Sequence, residues 1–212
     1  MQAKPQPHID LSTLTPGFSD TVHDSQRVFR SLLEALSRPG TIQSLDAGMP
    51  GYAASQVASE DGVPLAAFAA LLALADFSTP VHVPRDSRAL GDAVRFHTGA
   101  PLTNDHASAA FAYIHDAASL PPLASFSTGK PETPQDAAML FIRVDSLTGG
   151  TPKVWRGPGI LDQVTVRIAG LPDRFWTEHR ALAAQFPCGI DCYLVAGGSL
   201  IGLPRTTRVE DH

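Results

Sequence analysis

Phe186-Pro187-Cys188-Gly189-Ile190-Asp191-Cys192-Tyr193-Leu194-Val195-Ala196, then Gly197-Gly198, then Ser199-Leu200-Ile201-Gly202-Leu203-Pro204-Arg205-Thr206-Thr207-Arg208: two short apolar runs flank a double glycine near the end of the chain. Glycine reaches positive φ at little steric cost, so the pattern predicts two strands joined by a two-residue turn. Pro204 has no N–H to give to a ladder and stops the second strand. Arg205, Thr206, Thr207 and Arg208 then gather hydrogen-bond donors at a strand end, where α/β domains usually dock ligands and partners. Two readings stay open at this corner: a solvated terminus, or a place where something anionic binds.

The rest of the chain alternates helix and strand signals. Residues 172–185 read as an amphipathic helix with Phe175, Trp176, Leu182 and Ala183 inward. Residues 163–168 alternate as a strand does, and 153–156 form a strand that ends in the turn Gly157-Pro158-Gly159. The near-continuous apolar run 138–144 predicts a strand buried on both faces. Residues 131–136 carry turn chemistry, 120–128 suggest a short helix, and 111–115 and 80–84 read as strands. Helices are expected over 86–95, closed by 96–99, and over 63–76, which is apolar as far as Ala75. Residues 46–60 read as loop or marginal helix, and 41–45 as a short strand. The helix over 21–37 places Val28, Phe29, Leu32, Leu33 and Leu36 on one apolar face. Asp20 or Asp24 caps it, Pro39-Gly40 ends it, and Arg27 and Arg30 point outward. Residues 1–19 are expected to form an irregular arm, followed by a single α/β domain over 20–212. The expected architecture is a three-layer α/β/α sandwich around a mixed or mostly parallel sheet.

Composition narrows the function. The 212 residues are 43% hydrophobic and 17% charged, with a formal net charge of -5. An acidic chain lacks the basic field that phosphate-backbone binding needs, so no nucleic-acid partner is expected. The longest apolar run is too short to cross a bilayer, which takes about 20 residues, and the N-terminus has no apolar signal core. No membrane partner is expected, and the compartment is the cytoplasm. Cys188 and Cys192 form one C-x3-C pair with no second pair, which argues against a zinc ribbon or a disulfide framework. There is no P-loop, no dinucleotide fingerprint and no nucleophile elbow. The only lysines are Lys4, Lys130 and Lys153, none in a trusted Schiff-base context. No catalytic residue, metal or cofactor is therefore assigned. Gly157 and Gly159, beside Arg156, either turn the chain or bring backbone N–H groups toward an anion. Among the histidines, His97 is the most interesting, because it sits with Arg95 and Thr98 at a helix end.

Six pieces of sequence, in this order and spacing, resemble the PhnH family of bacterial carbon–phosphorus lyase subunits. They are Phe29-Arg30-x-Leu32-Leu33 with Ser37-Arg38-Pro39-Gly40, and Leu72-x-Leu74-Ala75-Asp76 with Thr79-Pro80-Val81. Next come Arg95-Phe96-His97-Thr98 with Ala100-Pro101-Leu102, and Ser146-Leu147-x-Gly149-Gly150. Gly157-Pro158-Gly159-Ile160 and the C-terminal signature, with Asp191 and Pro204-Arg205-Thr206-Thr207, complete the set. The resemblance implies a fold like the large domain of pyridoxal-phosphate-dependent transferases, without the cofactor site. It implies a homodimer that joins G, I and J subunits. It also implies a role in coupling an alkylphosphonate to the ribose of ATP, displacing adenine, to give a ribose 1-alkylphosphonate 5-triphosphate. On this reading the motif residues build partner surface or a nucleotide-facing groove. The alternative is a stand-alone binder or enzyme in which Arg95, His97, Arg205, Thr206 and Thr207 gather around a phosphate, with ATP or a phosphonate nucleotide as ligand. A third possibility is a purely structural dimer. The role of Arg208 stays open.

Overall fold

The computed structural model describes residues 14–45 and 62–212. Most of the expected arm and the whole of the expected 46–60 segment lie outside the described residues. Described residues 14–20 hold no helix or strand.

Helix α1 (Thr21–Ser37) begins where the Asp20 carboxylate accepts from the Val22 and His23 N–H groups, which settles the cap on Asp20. Asp24 returns the favour by accepting from the Asp20 N–H at 2.9 Å, and it also pairs with Arg27. After strand β1 (Ile42–Ser44) come α2 (Leu65–Leu74), β2 (Val81–His82) and α3 (Arg88–Thr98), which Gly99 closes in the left-handed conformation. Strands β3 (Leu102–Thr103) and β4 (Phe111–Ile114) follow, then β5 (Thr128–Lys130), β6 (Thr133–Ala137) and β7 (Met139–Arg143). The chain ends through β8 (Lys153–Arg156), β9 (Val164–Val166), α4 (Asp173–Ala183), β10 (Asp191–Ala196), β11 (Ser199–Leu203) and β12 (Arg208–Asp211).

Seven strands make one mixed sheet in the order β1-β11-β10-β7-β4-β2-β3. Only β11 runs against the others, because its register with both β10 and β1 is antiparallel while the remaining pairs are parallel. Ala196 pairs with Ser199, so Gly197-Gly198 is the expected two-residue turn, with Gly197 at φ 56°. Alternation along the central strands sends Tyr113, Phe141, Tyr193 and Val195 to one face, against α1, α2 and α3. Ile114, Leu140, Ile142, Cys192 and Leu194 go to the other. Helix α2 is buried from Ala66 to Leu71, as its lack of a polar face requires.

Four expectations need correction. The second outer layer is not purely helical: α4 shares it with a separate antiparallel sheet, β12-β8-β9, whose Trp155, Val166 and Val209 complete that core. Arg208, whose role the sequence leaves open, opens β12, opposite Arg156. Residues 131–136 contribute most of β6, paired to β5 around Gly129; both its faces are largely solvated, so no apolar alternation marked it. The segment 120–128 holds a three-residue 3-10 turn at Leu123–Ser125 rather than a helix. The apolar face of α1 is also narrower than expected. Val28, Leu32 and Ala35 are buried, while Phe29 and Leu33 are 45% and 52% exposed.

Helix α1 rests directly on the sheet at Gly202, where a Cβ would stand 2.4 Å from the Ala35 carbonyl oxygen. Nearby, the buried Tyr193 hydroxyl donates to the Leu32 carbonyl at 2.9 Å. Gly202→Ala must push backbone against backbone and is expected to cost about 1–3 kcal/mol or more. Gly91→Ala meets only the Leu102 Cδ1 at 3.1 Å, a movable side chain, and should cost less. Urea denaturation of the two variants checks the difference.

Candidate functional site: the C-terminal corner

Three of the sequence pieces meet at one corner. The loop Gly157-Pro158-Gly159 follows β8 and lies between the end of α1 and the segment joining β11 to β12. A Cβ at Gly159 would stand 2.1 Å from the Ser37 carbonyl oxygen, and one at Gly157 would stand 3.0 Å from the Thr206 carbonyl oxygen. Only hydrogen fits at the first of these, so the two glycines let three backbones pack together. Gly189 approaches the stem of Arg205 in the same way, at 3.0 Å from its Cβ.

Arg205 holds the corner. The Asp191 carboxylate accepts from the Arg205 backbone N–H at 2.8 Å, from Nε at 3.1 Å and from Nη2 at 2.6 Å. Nη1 donates to the Pro134 carbonyl at 2.8 Å and to the Pro187 carbonyl at 3.3 Å. A guanidinium has five N–H donors. These contacts occupy four of them and tie β10, the end of β11, β6 and the 186–189 loop to one side chain. The ion pair is largely buried, with side-chain exposures of 15% and 19%.

Beneath the corner lies a set of buried polar atoms without partners among the described residues: Thr207 Oγ1, Trp155 Nε1 and both ring nitrogens of His179. Burial pulls the His179 pKa down to about 4, against the opposing pull of the Asp191 carboxylate. Outside the corner opens a cleft of ≈ 410 Å³ lined by Arg156, Gly157, Pro158, Phe186, Thr206 and Arg208, among others. Arg156 is engaged by Asp162, Gln163 and Glu210. Arg208 has no ion pair among the described residues.

The other two candidate residues stand elsewhere. His97 Nε2 donates to the Thr15 carbonyl at 2.9 Å, so it fastens residues 14–18 to the end of α3. Arg95 lines a groove of ≈ 240 Å³ with Arg85, Arg88 and Asn104. Thus Gly157, Gly159, Asp191, Arg205, Thr206 and Thr207 come together, while Arg95 and His97 belong to the surroundings of α3. Cys188 and Cys192 are free thiols, and burial raises the Cys192 pKa. Among the described residues no group of three or more His, Cys, Asp or Glu is placed to hold a metal ion. No described helix is long and apolar enough to cross a membrane.

Sequence reading missed a second polar constellation at the carboxyl ends of the central strands. The His115 ring, just past β4, contacts the Tyr113 hydroxyl at 3.0 Å and Arg143 Nη1 at 2.8 Å. A usable signal was present: Arg143 is the one charged residue inside the apolar run 138–144 and stands near its carboxyl end.

Two outcomes follow from the corner. Arg205→Ala strands the Asp191 carboxylate and should cost about 3 kcal/mol in urea denaturation. Adding Asp191→Ala should cost clearly less than the sum of the two single changes. His179 has a folded pKa below its ordinary value of 6.5, so its penalty is absent above pH 6.5 and grows as pH falls toward 4. At pH 4 the unfolded state should gain about 3 kcal/mol from this residue relative to neutral pH. In His179→Leu the acid-induced loss of stability should shrink by that amount.

Comparison with known proteins agrees with the sequence pieces. Residues 16–210 match the family described as bacterial phosphonate metabolism protein (PhnH). Alpha-D-ribose 1-methylphosphonate 5-triphosphate synthase subunit PhnH of Rhizobium meliloti (strain 1021) is 36% identical over 200 residues, covering 91% of this chain and 94% of the relative. HtxG of Stutzerimonas stutzeri, which bears the name of a C-P lyase subunit protein, is 32% identical over 82 residues, covering 39% of this chain and 42% of the relative. Matched along nearly its whole described length, this chain belongs to the PhnH family of bacterial phosphonate metabolism proteins.

Proposed function

We propose that this chain is the H subunit of a bacterial carbon–phosphorus lyase core complex. It acts with G, I and J subunits in the step that couples an alkylphosphonate to the ribose of ATP, displacing adenine. The product is a ribose 1-alkylphosphonate 5-triphosphate. The single observation that carries this reading is the 36% identity to the Rhizobium meliloti synthase subunit across 91% of the chain. The cytoplasm, where ATP is at hand, is the compartment the reading requires. On the same footing we place residues 20–212 in one domain, and we liken its sheet, six strands one way and one reversed, to the large domain of pyridoxal-phosphate-dependent transferases. Superposition of a crystal structure on such a domain tests that likeness, and a different strand order in the transferase would sink it.

The corner serves this function as partner surface. Gly157, Gly159, Asp191 and Arg205 shape it, and Thr206, Phe186 and Arg208 face out from it. What supports this is the distribution of apolar exposure. Of eight large exposed hydrophobic residues among the described ones, six lie on α1, on β1 or on the loops around the corner: Val22, Phe29, Leu33, Ile42, Leu161 and Phe186. Val22, Phe29 and Leu33 share one stripe of α1 at helical spacing, and contiguous apolar exposure of this kind marks contact with another protein. The first candidate for that contact is a second copy of the chain, and the G, I and J subunits are the next.

Co-expression of the tagged chain with G, I and J subunits, read by native mass spectrometry, should give a stoichiometric complex. A chain that elutes without them overturns the subunit reading. Phe29→Glu with Leu33→Glu should abolish the homodimer or the complex while thermal stability stays within a few degrees of the parent. Assembly unchanged by this pair removes α1 from the interface.

A further inference from the structure

Arg143 stands apart from the other arginines. Seven arginines have no ion pair among the described residues: Arg30, Arg85, Arg88, Arg95, Arg143, Arg167 and Arg208. All except Arg143 are exposed, whereas Arg143 is half-buried. A guanidinium withdrawn from water without a counter-charge is unfavourable, and such a site gains when an anion arrives. Among the described residues the one hydrogen bond of Arg143 runs from Nη1 to His115 Nε2, at 2.8 Å. Because a guanidinium can only donate, His115 Nε2 accepts and the imidazole carries its proton on Nδ1, which then donates to the Tyr113 hydroxyl. An imidazole nitrogen that accepts from the guanidinium fixes it without consuming its charge.

The surroundings suit a ligand. Arg143 closes β7 at its carboxyl end and lines an open crevice of ≈ 470 Å³ with Gly62, Asp145, Gly197 and Gly198. A Cβ at Gly62 would lie 3.5 Å from Nη2, so the backbone there sits close against the guanidinium. His115 lines the adjoining crevice of ≈ 190 Å³ with His82, Asp86 and Asp116. That crevice lies where the chain reverses its direction of winding: β2 connects onward to β3 on one side, and β4 to β7 on the other. Ligands of open α/β sheets bind outside the carboxyl ends of the strands at this kind of reversal.

We propose that Arg143, positioned by His115, is the anchor of a small-anion site at the carboxyl ends of β4 and β7. The anion it takes is a tetrahedral phosphorus oxyanion, the group shared by a phosphonate and a nucleotide phosphate. The choice of phosphorus over a carboxylate rests on the proposed function; the site itself rests on the geometry. Arg143 meets the anion through the planar fork that Nε and Nη2 leave free, which suits two oxygens at once. His115 is a positioning residue that acts through Arg143.

The test is titration of the purified chain, and of the co-purified complex, with methylphosphonate, ATP and acetate by isothermal calorimetry. Methylphosphonate or ATP should bind saturably and acetate should not. Arg143→Gln should weaken binding roughly tenfold or more, while Arg95→Gln leaves it unchanged. His115→Leu should weaken binding too, and His115→Gln, which keeps an acceptor for Nη1, should restore most of it. Thermal melts of each variant separate a lost ligand from a lost fold. Methylphosphonate and ATP affinities that survive Arg143→Gln in a folded protein overturn the site. So does the absence of binding by both chain and complex, and acetate bound as tightly as methylphosphonate overturns the phosphorus assignment. Co-purification with the partner subunits is read separately, so failure of the site and failure of the subunit reading are distinguishable.

Discussion

The ion pair between Arg205 and Asp191 is the contact on which the C-terminal half depends. Asp191 opens β10, the strand that pairs with both β7 and β11 near the middle of the sheet. Arg205 follows the proline that ends β11. By bonding Asp191 through three N–H groups, and the Pro134 and Pro187 carbonyls through Nη1, Arg205 fixes where the chain leaves the main sheet. Only from there can β12 turn back onto β8 and complete the second, smaller sheet. The same turn brings Thr206 and Thr207 against Gly157, and the loop containing Gly159 against the end of α1. One largely buried charge pair thus sets the relation between the main sheet, the small sheet and the first helix.

This explains how Arg205, which looks like an anion ligand in sequence, comes to spend its donors inside the fold. Arginine and threonine at a strand end offer donors, and donors invite the thought of phosphate. A guanidinium with four of its five N–H groups already engaged has little left to offer. Arg143 is the reverse case. It has an unremarkable position in the sequence, yet in the fold it is half-buried, bonded among the described residues to the His115 ring, and open to a crevice. Burial and pairing, not residue type, separate the two arginines.

Much of the fold was legible in the chain. The double glycine marked the β10–β11 turn, Asp20 or Asp24 and Pro39-Gly40 bounded α1, and the near-continuous apolar run 138–144 marked the central strand. What escaped was structure without a local signature. Strand β6 is solvated on both faces and carries no alternation. Strand β12 is four residues long and polar at three positions, so its pairing with β8 is a tertiary fact. The helical spacing of Phe29 and Leu33 was read correctly, but which flank of a broad apolar stripe turns to the core depends on Gly202 admitting the helix at Ala35. For the candidate site, the sequence grouped the pieces but could not say that Arg95 and His97 lie apart from the rest. It also gave no means of pairing His115 with Arg143, which are 28 positions apart.

The proposals together give the chain two working surfaces: α1, β1 and the corner for other subunits, and the carboxyl ends of β4 and β7 for a small anion. Hydrogen–deuterium exchange on the chain diluted to the monomer and in complex with G, I and J subunits tests this division most directly. The account predicts that complex formation slows exchange in residues 21–44, 157–162 and 205–210, with little change at 113–116. Protection confined to 113–116 and 143–146, with α1 and the corner exchanging as in the free chain, would contradict it.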